Sequence, residues 1–158
     1  MNKFKLVALF LFVAFGLSAQ NISDNAIGLR FGDSDGLGVE ISYQRALFSK
    51  NRLEIDLGWR NSNNVDAFKL TGLYQWVWNI DANFNWYAGA GGGIVSWSHD
   101  TVDANGTAIF IAGDVGIEYD FDIPLLISLD ARPELGFGDG NQYDDLDFDI
   151  ALSLRYQF

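Results

Sequence analysis

Apolar and polar residues alternate along nearly the whole chain with the two-residue period of a β-strand. In the last segment one face carries only large apolar side chains, namely Phe148, Ile150, Leu152, Leu154, Tyr156 and Phe158. The residues between them are small, polar or charged. Few segments after residue 20 show the i, i+3, i+4 spacing of an amphipathic helix. The sequence therefore predicts an all-β protein.

The alternation predicts eight strands, most of them about 9 to 12 residues long. Their approximate ranges are 27–32, 37–44, 52–60, 68–78, 86–97, 109–119, 127–135 and 147–158. The connections are short and rich in Asn, Asp, Ser and Gly, as hairpins require. A glycine run at 89–93 predicts a bulge or register change in the fifth strand. An even number of hairpin-linked strands predicts an antiparallel up-and-down barrel closed between the first and last strands.

The first residues have the layout of a secretory signal peptide. Lys3 and Lys5 precede an apolar run over 6–15, and small residues lead up to Ala19. The run is shorter than the roughly 20 residues of a membrane-spanning helix. We therefore predict a cleaved signal peptide over 1–19 and a barrel domain over 20–158. Cleavage after Ser18 is the alternative position.

Alternation alone does not say which face of the strands points into the barrel. A soluble, lipocalin-like barrel that binds a ligand would place the apolar face inside. A transmembrane barrel would turn that face toward lipid. The predicted strand length favours the membrane, because tilted strands of about 9 to 11 residues cross the hydrocarbon layer.

Large aromatic residues concentrate near the predicted strand ends, whereas Leu, Ile, Val, Ala and Gly dominate the strand centres. Aromatic rings favour the membrane–water interface, so two aromatic girdles around an aliphatic band indicate a membrane barrel. The predicted interface aromatics are Tyr43, Trp59, Phe68, Trp76, Trp78, Trp86, Trp97, Tyr119 and Tyr156.

The polar face carries charges of both signs. Inside a narrow barrel, such charges must pair with one another. The predicted interior charge network contains Arg30, Glu40, Arg52, Glu54, Asp56, Arg60, Lys69, Asp114, Glu118, Asp130, Arg132, Glu134, Asp149 and Arg155. Because eight strands enclose a space that side chains can fill, we expect a packed salt-bridge network rather than an open pore.

With these features the chain resembles the small outer-membrane β-barrel family of Gram-negative bacteria, the OmpA-type transmembrane barrel without a peptidoglycan-binding domain. The resemblance covers 21–158, and its most specific element is the final strand with Tyr156 and the terminal Phe158. It implies location in the bacterial outer membrane, contact with outer-membrane lipid, and recognition of these two residues by the barrel-assembly machinery.

Charge and composition exclude several function classes. The formal charge of −11 argues against nucleic acid, and the absence of Cys excludes thiolate metal sites and cysteine nucleophiles. His99, near Ser96, Ser98 and Asp100, matches no catalytic motif. The acidic outer loops match no calcium-loop spacing. We therefore expect no catalytic residue, no metal and no cofactor.

The sequence favours a structural or interaction role in the cell envelope, with an envelope partner that it does not identify. Three alternatives remain open. One is a passage for small solutes or ions through the barrel, and another is a lipid-modifying enzyme that uses His99 at the rim. The third is the soluble lipocalin-like barrel.

Overall fold

The computed structural model describes residues 22–32, 38–62, 65–99, 105–137 and 146–158, and the side chains of 60–62, 65 and 99 are not part of the description. The predicted signal peptide and the side chains of Arg60 and His99 therefore lie outside the described residues. The same holds for the acidic outer-loop residues Asp33, Asp35, Asp100, Asp103, Asp139, Asp144 and Asp145. No helix in the described part is long and apolar enough to cross a membrane.

Eight antiparallel strands form a closed barrel in chain order. They are β1 (Asn25–Phe31), β2 (Glu40–Phe48), β3 (Asn51–Ser62), β4 (Val65–Asp81), β5 (Phe84–His99), β6 (Gly106–Asp120), β7 (Leu125–Phe137) and β8 (Leu146–Gln157). Strand β1 pairs with β8 from Ala26↔Gln157 to Phe31↔Leu152. The predicted all-β, closed eight-stranded barrel is thus confirmed. Closure leaves no strand edge, which a barrel in lipid requires.

The strands are less uniform than the sequence predicts. β4, β5 and β6 have 17, 16 and 15 residues, whereas β1 has 7. The predicted limit of about 12 residues is wrong for the long strands, because polar residues at their ends still pair in the ladder. Asp66, for example, pairs with Ser98. The barrel wall is therefore longest along β4–β6.

The predicted bulge at the glycine run in β5 is also wrong. The β5–β6 register runs without a shift from Phe84↔Tyr119 to Trp97↔Gly106. The glycines instead make room for side chains of neighbouring strands. A Cβ added to Gly93 would lie 2.6 Å from Cζ of Phe110, and one added to Gly89 would lie 2.9 Å from Cγ of Gln75.

We call the end of the barrel at Asn25 and Gln157 the terminal end and the opposite end the loop end. Both register shifts among the described strand pairs lie at the terminal end, between Ala46 and Phe48 and between Asn79 and Asp81. Between these shifts and the loop end, the paired strands therefore keep a strict alternation of inward and outward residues. This regularity decides which side chains fill the interior.

Candidate functional site: the charged barrel interior

The inward-facing side chains include a set of buried charges. They are Arg30, Glu40, Arg52, Glu54, Asp56, Lys69, Asp114, Glu118, Asp130, Arg132, Glu134, Asp149 and Arg155. The structure thus places every residue of the predicted network inside, apart from Arg60, whose side chain is not described. The outward residues are mainly exposed and apolar, such as Leu29, Ile55 and Ile150. This polarity is the reverse of a water-soluble barrel and argues against the lipocalin-like alternative.

Arg30 on β1 holds carboxylates of three other strands. Its Nη1 donates to Oε2 of Glu40 at 3.0 Å and also to Asp149. Its Nε and Nη2 donate to Oδ1 of Asp130 at 3.1 Å and 2.5 Å. Arg30 therefore ties β2, β7 and β8 to β1, and the charge-assisted bonds offset part of the cost of burying these groups.

Arg132 on β7 reaches across the interior to the opposite wall. Its Nη2 donates to Asp56 and lies 3.7 Å from Oε1 of Glu54, both on β3. Its Nη1 donates to Oε2 of Glu40 at 3.3 Å. Since Glu40 also accepts from Arg30, the two arginines share one carboxylate and form a continuous cluster.

Glu54 is the centre of a second group of contacts nearer the terminal end. It accepts hydrogen bonds from the side-chain amides of Gln44 at 2.5 Å and Gln75 at 3.1 Å. Its Oε1 lies 3.1 Å from Nη2 of Arg155 on β8. Arg155 also donates to the hydroxyls of Ser42 at 2.9 Å and Ser128 at 2.8 Å. These contacts cross the interior from β3 to β7 and β8.

Arg52 on β3 fills the interior at the terminal end. Its Nη2 lies 2.7 Å from Oε2 of Glu118 on β6, and its Nε donates to Oε1 of Gln75 at 2.6 Å. The guanidinium lies 4.8 Å from the centre of the Tyr87 ring, a cation–π contact. The Nδ2 of Asn85 donates to Glu118 at 3.1 Å. Together these groups block the interior below the Glu54 contacts.

Lys69 on β4 occupies the part of the interior nearer the loop end. Its Nζ donates to Oε2 of Glu134 on β7 at 2.7 Å and lies 5.1 Å from the centre of the Phe110 ring. The Lys69–Glu134 pair again joins opposite walls. Ion pairs therefore cross the interior near both ends and at its centre.

The interior also contains an apolar sector that the sequence analysis did not identify. Leu73, Val77, Tyr87, Val95 and Phe110 are buried on the inner faces of β4, β5 and β6. The signal was present, because Leu73 and Val77 share the inward alternation of Lys69 and Gln75. Most of the buried charged side chains consequently lie on β1, β2, β3, β7 and β8.

A small cavity of about 10 Å³, room for about one water molecule, opens at the terminal end of the interior. Gln44, Arg52, Asn85 and Glu118 line it on the barrel side, and Ile22 and Ser23 line it at the start of the described chain. The described residues contain no group of His, Asp and Glu side chains that could hold a metal ion. The site is thus a packed charge network with a small cavity at its terminal end.

All but one of the predicted interface aromatics lie on the outward face, in two zones. Trp59 and Phe68 are cross-strand neighbours near the loop end. The prediction is wrong for Trp97, which has the same inward position in the alternation of β5 as the buried Tyr87 and Val95 and covers Gly106 inside the barrel. At the terminal end, the rings of Trp78 and Trp86 stack with centroids 4.4 Å apart. The remaining terminal-end rings contact aromatic neighbours or Asn25: Tyr43, Trp76, Tyr119 and Tyr156. The structure therefore shows two girdles of outward aromatic side chains.

No family model and no curated protein matches the chain. Several solved structures are similar to it in fold, among them the following three. Neisserial surface protein A is 15% identical with a TM-score of 0.62, covering 85% of this chain and 94% of that chain. The N-terminal β-barrel domain of Pseudomonas aeruginosa OprF is 12% identical with a TM-score of 0.65, covering 89% and 100%. Ail, the attachment invasion locus protein of Yersinia pestis, is 15% identical with a TM-score of 0.56, covering 88% and 99%.

These identities are too low to transfer a function, but the shared fold spans most of each chain. The chain has the fold of a small, eight-stranded transmembrane β-barrel. The resemblance inferred from the sequence is thereby confirmed at the level of fold.

Proposed function

We propose that the chain is an exported protein of the bacterial outer membrane with a structural or interaction role in the cell envelope. The observation that carries the proposal is the inverted polarity of the closed barrel. Arg30, Arg132 and Arg155 are almost fully buried inside it, whereas Ile150 and Leu152 face outward and are more than half exposed. In lipid, exposed apolar side chains and closed backbone pairing are the stable arrangement.

The interaction role draws support from two of the proteins with a similar fold. One is a surface protein, and another is an attachment invasion locus protein. The interior of the present chain is filled by fixed ion pairs and holds no recognised catalytic constellation in the described part, so a non-enzymatic role fits it best. The partner would be contacted by the outer surface rather than by the interior.

Outer-membrane lipid and the barrel-assembly machinery are the partners that the proposal requires. The outward rings of Tyr156 and Phe158 lie 6.2 Å apart at the end of the chain, and both are more than half exposed. On this outward face, both rings are accessible to a recognition surface. The enzyme alternative depends on the side chain of His99, which lies outside the described part and stays a hypothesis.

We expect the mature protein to fractionate with outer membranes and to show heat-modifiable gel migration. A closed barrel with paired strands resists unfolding by detergent at room temperature, so the unboiled protein should migrate faster than the boiled one. The measurement is semi-native electrophoresis of membrane fractions. A monomer found in the soluble periplasmic fraction, with identical migration before and after boiling, would overturn the membrane assignment.

The passage alternative leads to a different expectation for electrical recording. Because the Arg132–Asp56, Lys69–Glu134 and Arg52–Glu118 pairs cross the interior, the proposed sealed barrel should give no discrete steps in planar bilayers bathed in KCl. The recording should use protein with verified heat-modifiable migration. Reproducible single-channel steps would favour a passage over the structural role.

A further inference from the structure

One inner strand face carries polar side chains over most of its length. On β7 the consecutive inward residues Ser128, Asp130, Arg132 and Glu134 are all buried. We call these four residues the β7 column. It extends from the level of Lys69, near the loop end, to the level of Arg155, whose Nη1 contacts Ser128.

Buried polar atoms without a hydrogen-bond partner are most numerous beside this column. In the described part of the chain, eight of twelve such atoms belong to β6, β7 or β8: Oδ1 of Asp114, Oε2 of Glu118, Oδ2 of Asp130, Nε of Arg132, Oε1 of Glu134, Oδ2 of Asp147, Oγ of Ser153 and Nη2 of Arg155. The other four lie on β3 and β4, namely Nη1 and Nη2 of Arg52, Oδ1 of Asp56 and Oγ1 of Thr71. Buried polar atoms in folded proteins are almost always satisfied, and water satisfies those that no side chain reaches.

Among these atoms, the hydroxyl of Ser153 most directly indicates that solvent enters this region. The residue is completely buried on β8, cross-strand from Ser128, yet its hydroxyl contacts no partner among the described residues. A buried hydroxyl left unpaired is costly, so its position implies a small polar ligand beside the column. Water is the ligand that fits next to both a hydroxyl and carboxylate oxygens.

The sheet beside the column is also weakened. The β6–β7 ladder pairs Ala112 with Glu134 and Val115 with Ala131, and it is interrupted between these pairs. Pro133 lies in the gap and has no N–H to donate. The backbone there offers a further site where water can replace a missing ladder contact.

Acids outnumber bases in the described interior. The inward acids are Glu40, Glu54, Asp56, Asp114, Glu118, Asp130, Glu134 and Asp149, and the inward bases are Arg30, Arg52, Lys69, Arg132 and Arg155. This excess repels anions from the interior. The ion pairs that cross the interior leave no open bore for a hydrated metal cation.

We propose that a file of water molecules follows the β7 column and conducts protons between the two ends of the barrel, while larger ions are held back. Each water accepts a proton from one side and passes another to the next water, so no group is consumed. At the terminal end, the file opens into the cavity beside Arg52 and Glu118. The inference rests on the transmembrane placement proposed above.

The test uses the refolded mature chain in phospholipid vesicles that contain a pH-sensitive dye. A potassium diffusion potential set with valinomycin drives protons inward. We expect the vesicles to acidify faster than protein-free vesicles, and vesicles without valinomycin to show no leak of potassium or chloride. Heat-modifiable migration of the recovered protein verifies that the barrel is folded and inserted.

Ser153→Val should interrupt the file, because it replaces the hydroxyl with apolar volume, and we expect about tenfold slower proton flux. Thr71→Val is the matched control. It also removes a buried hydroxyl with no partner in the described chain, but from β4, on the opposite wall. This control should keep the wild-type flux. If Ser153→Val does not fold, Asp114→Asn, which preserves side-chain shape, serves in its place with the same expected loss.

Three results would overturn the inference. These are a folded wild-type barrel with no proton flux above protein-free vesicles, equal loss of flux in the Ser153 and Thr71 variants, and, without valinomycin, a protein-dependent potassium flux as large as the proton flux. Each is separate from the membrane assignment, which is tested by fractionation and by heat-modifiable migration.

Discussion

Arg132→Met is expected to destabilise the folded barrel by about 3–5 kcal/mol, the usual cost of removing one partner from a buried ion pair. Arg132 is 0% exposed and contacts Glu40, Glu54 and Asp56. Methionine fills a similar volume but leaves Asp56 without its cation. The loss is therefore electrostatic rather than a loss of packing.

The measurement is reversible urea unfolding in lipid vesicles, followed by tryptophan fluorescence. Arg45→Met is the matched control, because Arg45 is an exposed residue of β2 near the terminal end, and its loss should change stability by no more than about 0.5 kcal/mol. Adding Asp56→Asn to Arg132→Met should restore part of the lost stability. Equal stability of the Arg132 and Arg45 variants would mean that the interior network does not hold the barrel together.

The alternation in the sequence was sufficient to divide each strand into two faces. Because side chains on a strand alternate with period 2, Glu54 and Asp56 must share a face, opposite Ile55. Alternation did not say which of the two faces is the outer one. Strand length and the placement of the aromatic residues were needed to favour lipid contact for the apolar face, on which Ile55 and Leu152 lie.

The pairing of charges was not predictable, because it depends on the stagger between strands. Arg30 and Asp130 are 100 residues apart in the chain, yet they form a charge-assisted hydrogen bond across the interior. Which acid contacts which base depends on the tilt of the strands relative to the barrel axis and on the length of the side chains. The two-residue period of the sequence does not determine the tilt or the resulting contacts. The sequence could therefore specify the members of the network but not its contacts.

The glycines of β5 show a second limit of local pattern. In isolation, Gly89 and Gly93 indicate a weakened strand. In the barrel they lie beside Gln75 and Phe110, whose side chains use the space that a Cβ would occupy. A glycine whose role is set by a neighbouring strand cannot be interpreted correctly from its own strand.

Leu152→Arg is expected to destabilise the barrel by about 2–4 kcal/mol, the cost of placing an arginine near the midplane of the bilayer. Leu152 is 52% exposed on the outward face of β8, between the aromatic residues Phe148 and Tyr156. In a barrel surrounded by water the same substitution would change stability little. The size of the effect therefore distinguishes lipid from water at this face.

Tyr156→Arg is the control for depth, because it places the same charge on the same strand at the aromatic girdle. There the expected cost is only about 0–1 kcal/mol, since the side chain can reach the interface. Both variants should be unfolded in vesicles of the same lipid, with stability compared by urea titration. Equal costs at Leu152 and Tyr156 would contradict an apolar band at the middle of the outward face of β8. They would also contradict the assignment of this face to the membrane interior.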